Sequence, residues 1–182
     1  MDASDNAPKP GILDALPARF ATFDYEGHRW FGDESGGFTL RYGNRRKHRL
    51  AEVYVYPVAE QNAKLDHQSL VLGSTRASIE AISQAAGSGH YANFNLVNAA
   101  MRSHGVRTEA RVQATYLQQN LATYTLVYQT EHEGTLLKVR VTMPDNDANR
   151  DNDEWDAFAS YMFDRIIGEL DADETIVSWL DE

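Results

Sequence analysis

The chain contains no cysteine, which removes disulfides, thiolate nucleophiles and cysteine-ligated zinc or iron–sulfur clusters. That absence leaves the compartment open, because a cysteine-free domain tolerates reducing and oxidising surroundings alike. Long apolar runs are missing as well, and nothing approaches the roughly 20 residues that a membrane-crossing helix needs. Positive charge is scarce: 17 basic residues face 27 acidic ones, for a net charge of −10. Nucleic acid and anionic membrane surfaces are therefore poor partners at long range. The six histidines, at 28, 48, 67, 90, 104 and 132, show neither of the His-x-x-x-His and His-Glu-x-x-His spacings that would fix zinc. A Gly-x-Ser-x-Gly elbow is absent, and Gly87-Ser88-Gly89 lacks the lysine of a phosphate-binding loop. The sequence thus offers no visible instrument of catalysis, and the expectation is a non-enzyme without a resident cofactor.

What is present reads as one domain. A chain of 182 residues buries roughly 70% of its unfolded surface. Residues 1–11, with Pro8, Pro10 and small polar groups, read as a flexible lead-in, and 12–182 as a single α+β domain. The opening has no basic and then apolar signal pattern. A polar, Ala- and Pro-rich start also suits an exported chain after signal removal, so cytoplasm and bacterial periplasm both fit, with a lean to export.

The organising stretch is 109–143, three β-rich runs broken at Gln119-Asn120 and Glu133-Gly134, the pattern of an antiparallel meander. In its last run Leu137, Val139, Val141 and Met143 alternate with Lys138, Arg140 and Thr142, giving one apolar and one wet face. Such a face needs helices from before and after it in the chain as a cover. Upstream, Ile12, Leu13, Leu16 and Phe20 read as a short helix or a strap, Phe23 to Phe31 as an edge strand, and 33–37 as a turn. GFTLRYG and LAEVYVYPV form a hairpin around the loop NRRKHR. Period-3.6 spacing predicts a helix over 66–86 stopped by Gly87, a second over His90 to Ser103 with Phe94, Val97 and Met101 inward and Gly105 as its stop, and a last one over 154–170. The apolar stripe of that last helix is Trp155, Phe158, Ala159, Met162, Ile166 and Leu170, and Ile176 and Trp179 in the tail would tuck against the body.

GFTLRY, its short partner strand and a meander closing into the aromatic-led WDAFASYMFDRII resemble the PsbP-like family of α/β/α sandwich domains. The resemblance covers element order over most of 25–170. It implies an antiparallel sheet covered by helices, a non-catalytic module that binds or stabilises a partner protein, and no catalytic residues to carry over.

Two clusters carry chemical content. The loop from Asp145 to Asp156 can be numbered as a calcium loop, with Asp145, Asp147 and Asn149 at positions 1, 3 and 5, Asp151 at 7, Asp153 at 9 and Asp156 at 12. Arg150 stands where that loop wants glycine, and the alternative is an acidic cap for the last helix, with Asp151 and Glu154 at capping-box spacing. The basic knot Arg45, Arg46, Lys47 and Arg49 can clamp an anion or an acidic partner, or serve as a solvated hairpin tip. Tyr54 and Tyr56 share one strand face and Tyr124 and Tyr128 another, so an aromatic groove is open beside ordinary packing. The expected function is a protein-binding accessory module. The alternative is a small-ligand binder or enzyme with a pocket between sheet and helices.

Overall fold

The computed structural model describes residues 10–31, 36–104, 107–150 and 153–180, with the side chains of the last helix placed as far as 172. Among the described residues, eight strands form one antiparallel sheet in the order β1-β2-β3-β4-β8-β7-β6-β5. They are β1 (Arg19–Phe20), β2 (Phe23–Trp30), β3 (Phe38–Asn44), β4 (Arg49–Pro57), β5 (Ala92–His104), β6 (Arg107–Gln118), β7 (Leu121–His132) and β8 (Thr135–Pro144). The helices are α1 (Pro10–Ala15), α2 (His67–Gly87), α3 (Asp147–Arg150) and α4 (Glu154–Leu180). The expected α+β class, an antiparallel sheet covered by helices, is what the chain adopts.

The meander turns fall where the sequence breaks. Gln119 (φ 51°) with Asn120 (φ 65°), and Glu133 (φ 45°) with Gly134 (φ 77°), take positive φ at both central positions, as a two-residue type I′ hairpin requires. Gly36 is left-handed at φ 60°; residues 33–35 of that turn lie outside the described residues, as do 1–9 of the lead-in, Gly105, Asp151 and the side chains of Ile176 and Trp179.

Alternation decides the inner face. Phe38, Leu40 and Tyr42 of β3, Ala51, Val53 and Val55 of β4, and Leu137, Val139, Val141 and Met143 of β8 are all buried. They meet the stripe Trp155, Phe158, Ala159, Met162, Phe163 and Ile166 of α4, with Ile12 of α1 completing the core.

The two cover helices do not share that face. α2 lies on the other one, where Ile82 packs on Val112, Tyr116 and Val127. The face expected to be wet is therefore roofed over β6 and β7, and its polar groups are half-buried beneath α2. Asp66 caps α2, its carboxylate accepting from the Ser69 backbone N–H (2.9 Å) and hydroxyl (2.7 Å); these bonds hold it below the usual carboxylate range. Gly87 ends the helix without a left-handed turn, and the left-handed glycine is Gly89, at φ 83°.

The predicted helix over His90 to Ser103 is instead strand β5. Its pairing with β6 shifts between Ala92 and Asn95 and again between Leu96 and Asn98. Each bulge resets which residues face which side, so the sequence loses period 2 while Phe94, Val97 and Met101 fall by accident at helical spacing. Three asparagines, poor helix formers, and a pairing with β6 that runs from Ala92 to His104 settle the competition.

Candidate functional site

Three surfaces carry chemistry, and the sequence had grouped their residues differently.

The basic knot is divided. Arg45 to Lys47 form a 3-10 turn at the tip of the β3–β4 hairpin, capped by Asn44, whose side chain accepts from the Lys47 N–H at 3.1 Å. They stand over an open groove of about 750 Å³ whose lining includes Arg19, Arg45, Arg46 and Lys47 against Asp24 and Glu26, a local excess of positive charge on a chain of net −10. Glu26 holds Arg41 and Arg45 at 3.2 Å each, while Arg46 and Lys47 make no ion pair among the described residues. Arg49 leaves this group. By strand alternation it shares the inner face with Ala51 and Val53, and it is 8% exposed. Its Nε donates to Asn149 Oδ1 at 3.0 Å and its Nη2 to the same oxygen at 2.5 Å. Glu154 lies 3.6 Å away, and the guanidinium sits 4.7 Å over the Trp155 ring.

The acidic loop is knitted to arginines. Asp145 takes Arg150 in a two-pronged pair at 2.5 and 2.7 Å, and Asn149, buried in α3, receives Arg49. Asp156 accepts the Tyr128 hydroxyl at 2.5 Å and faces Arg111 at 3.1 Å. Among the described residues no three of Asp145, Asp147, Asp153 and Asp156 come within 4.8 Å of one another; the group that does is His132, Glu133 and Asp171. His132 Nε2 and Asp171 Oδ1 are 2.6 Å apart. Nearby, His67 Nδ1 lies 2.6 Å from Glu131, and the Thr108 backbone N–H donates to its Nε2 at 3.2 Å. The Thr108 donor leaves Nε2 without a proton, so Nδ1–H faces the carboxylate.

The third surface is the outer sheet face beside α2. Phe31 stacks on Tyr54 (centroids 6.3 Å apart, planes at 8°), and Lys138 Nζ lies 4.4 Å from the Tyr54 ring centroid and 5.8 Å from that of Tyr56. Arg140 Nη2 donates to the Tyr116 hydroxyl at 3.1 Å and the Tyr91 hydroxyl at 3.4 Å. Burial first, then Glu52 beside it, pushes the Tyr54 hydroxyl above the usual tyrosine range. Burial and then Arg140 press the Lys138 ammonium below the usual lysine range, against Glu52. Tyr54 and Tyr56 were legible as a shared face; Lys138 and Arg140 were read only as its wet side.

No protein-family model matches the chain, and no curated protein does. Solved structures do. The chain is similar to cyanobacterial PsbP from Synechocystis, at 13% identity and a TM-score of 0.47 over 78% of this chain and 81% of that one. It is also similar to a Pseudomonas aeruginosa protein of unknown function (9%, TM-score 0.42, covering 75% and 93%) and to the Saccharomyces cerevisiae Ran-binding protein Mog1p (9%, TM-score 0.38, covering 64% and 67%). One of these similar structures carries the family name that GFTLRY and the aromatic-led last helix resemble. The residues of the three surfaces stand on their own geometry.

Among the described residues no helix is long and apolar enough to cross a membrane. The two edges of the sheet differ. At one end β1 is two residues long and β2 carries Asp24, Glu26 and Arg29 with a bulge at Glu26–Gly27, which are the devices that blunt an edge. At the other end β5 runs 13 residues. Every residue of 92–103 except Phe94 and Met101 is exposed, and no charge or proline occurs before Arg102. Leu96 and Val97 are 42% and 46% exposed. The sequence hides this edge because Phe94, Val97 and Met101 fall at helical spacing; its run of uncharged residues is the signal it does carry.

Proposed function

We propose that the chain is a non-catalytic binding module that takes an extended segment of a partner protein onto β5. The observation that carries this reading is the bare edge: among the described residues, a long terminal strand whose outward N–H and C=O groups have no ladder partner, and whose run from Ala92 to Met101 carries none of the charges that keep natural edges apart. Strand addition draws affinity from main-chain hydrogen bonds and selectivity from alternate side chains, and from Asn98 to His104 the strand pairs with β6 without a break, so its outer side is straight enough to accept one. Arg46 and Lys47, at the tip of the β3–β4 hairpin, offer a second contact for an acidic partner. The accessory role implied by the PsbP-like resemblance is consistent with both.

A photoreactive residue placed at Val97 in the full chain is expected to crosslink a partner in its native cell. A control probe at Lys64, in the loop before α2, is expected to give none. Adding Ala99→Lys should remove the Val97 adduct, since a lysine on the edge repels an incoming strand. A self-adduct would identify the added strand as a second copy. Adducts unaffected by Ala99→Lys, or no adduct at Val97, would overturn the proposal.

A further inference from the structure

Beside α2 the outer sheet face opens into a groove of about 490 Å³, a size that suits a small organic molecule. One wall is Gly73, Ala77 and Ala81 of α2, one turn apart; the floor is Tyr56, Leu136 and Lys138. Two features of this groove call for an anion.

The first is charge. Lys138 and Arg140 are two residues apart on β8, so both point out of the same sheet face, and both are half-buried. Among the described residues neither makes an ion pair. The partners of Arg140 are the neutral hydroxyls of Tyr91, Tyr116 and Thr125, and Lys138 has the rings of Tyr54 and Tyr56. The carboxylate that acts on Lys138, Glu52, accepts the Tyr54 hydroxyl at 3.1 Å. Arg140 is not among the residues that line the groove, whereas Lys138 is; an ammonium withdrawn from water with one carboxylate acting on it is a net cost to the fold, and an anion bound beside Lys138 would offset it.

The second is the hydroxyl chain on the wall. The side-chain oxygen of Gln129 can only accept, so Ser74 spends its proton there, and the Tyr56 hydroxyl must donate to Ser74 Oγ at 3.1 Å. The Gln129 amide in turn donates to Ser78 Oγ at 3.0 Å. Ser78 lines the groove, and among the described residues its own proton goes to no acceptor. A donor and an ammonium facing one cavity, with Leu65, Leu70 and Leu136 around them, suit an anionic head on an apolar body.

We infer that this groove binds a small organic carboxylate, its head between Lys138 and Ser78 and its apolar body along the Gly73–Ala77–Ala81 wall. The inference is independent of the β5 edge, which lies across α2 from the groove. A single ammonium and a single hydroxyl match a monoanion, and the apolar remainder excludes a bare ion.

The test is calorimetric titration of the full chain with octanoate, octanol and inorganic phosphate in parallel, with thermal melting of each mixture. Octanoate is expected to bind and raise the melting temperature, octanol and phosphate not. Lys138→Met should weaken octanoate roughly 30-fold or more, because one partner of a half-buried charge contact is gone. The same variant is expected to melt above the parent in the absence of ligand, which separates loss of the site from loss of the fold. Ala77→Trp, filling the wall, should block octanoate while leaving β5 crosslinking intact. Equal binding of octanol, binding of phosphate without octanoate, or octanoate affinity unchanged by Lys138→Met would each overturn the inference.

Discussion

Replacing Trp155 by alanine is expected to cost about 3–5 kcal/mol of stability. Trp155 is fully buried at the start of α4. Its ring meets Phe23 edge-on at 5.5 Å, carries the Arg49 guanidinium at 4.7 Å, and donates Nε1–H to the Asn149 carbonyl at 3.0 Å. Alanine leaves a cavity at the junction of β2, β4 and α4 and strands that carbonyl. Trp155→Phe keeps most of the packing but still leaves the carbonyl unpaired, so its cost should be smaller, about 1–3 kcal/mol. Urea unfolding of both variants decides it; a Trp155→Ala chain within about 1 kcal/mol of the parent would mean that this junction does not anchor α4.

Arg49→Ala is expected to be almost as severe, about 3 kcal/mol, because it removes the donor of both hydrogen bonds to Asn149 Oδ1 and the ring contact on Trp155 in a place where water is scarce. For a chain of this size that lowers the melting temperature by roughly 6–12 °C. Arg46→Ala, three residues away in sequence and fully in solvent, should change stability by no more than about 0.5 kcal/mol. Thermal melts of the two variants side by side make the comparison. Equal melting temperatures would return Arg49 to the exposed basic cluster in which the sequence had placed it.

The contrast between Arg46 and Arg49 shows what can and cannot be read from residues in a row. Period-2 patterns over 37–58 and 109–143 and the period-3.6 stripe from Trp155 were legible because one face of each segment is buried throughout, so that the pattern survives in the chain. The turns at Gln119-Asn120 and Glu133-Gly134 were legible because few residues tolerate paired positive φ. β5 was not, since two bulges reset its parity and neither of its faces is consistently covered. The polar face under α2 was half legible: Tyr54 and Tyr56 could be assigned to one side, but the helix roofing them is joined to the sheet by tertiary contacts that no local period records. The arginines that meet the acidic loop were not legible, because Arg49, Arg111 and Arg102 reach Asn149 and Asp156 from strands distant in sequence.

The lamination is lopsided. Twenty-one buried apolar side chains form the cluster on the α4 side of the sheet, and four form the one beneath α2, among the described residues. Cooperative units with little apolar burial open first, so backbone amides of α2 should exchange with deuterium well ahead of those in 155–167, a difference that mass spectrometry of timed digests reads directly. The chain would then come apart in two stages, shedding its polar-side helix while the remaining layer holds, and the groove beside α2 would widen by that route without any hinge being built for it.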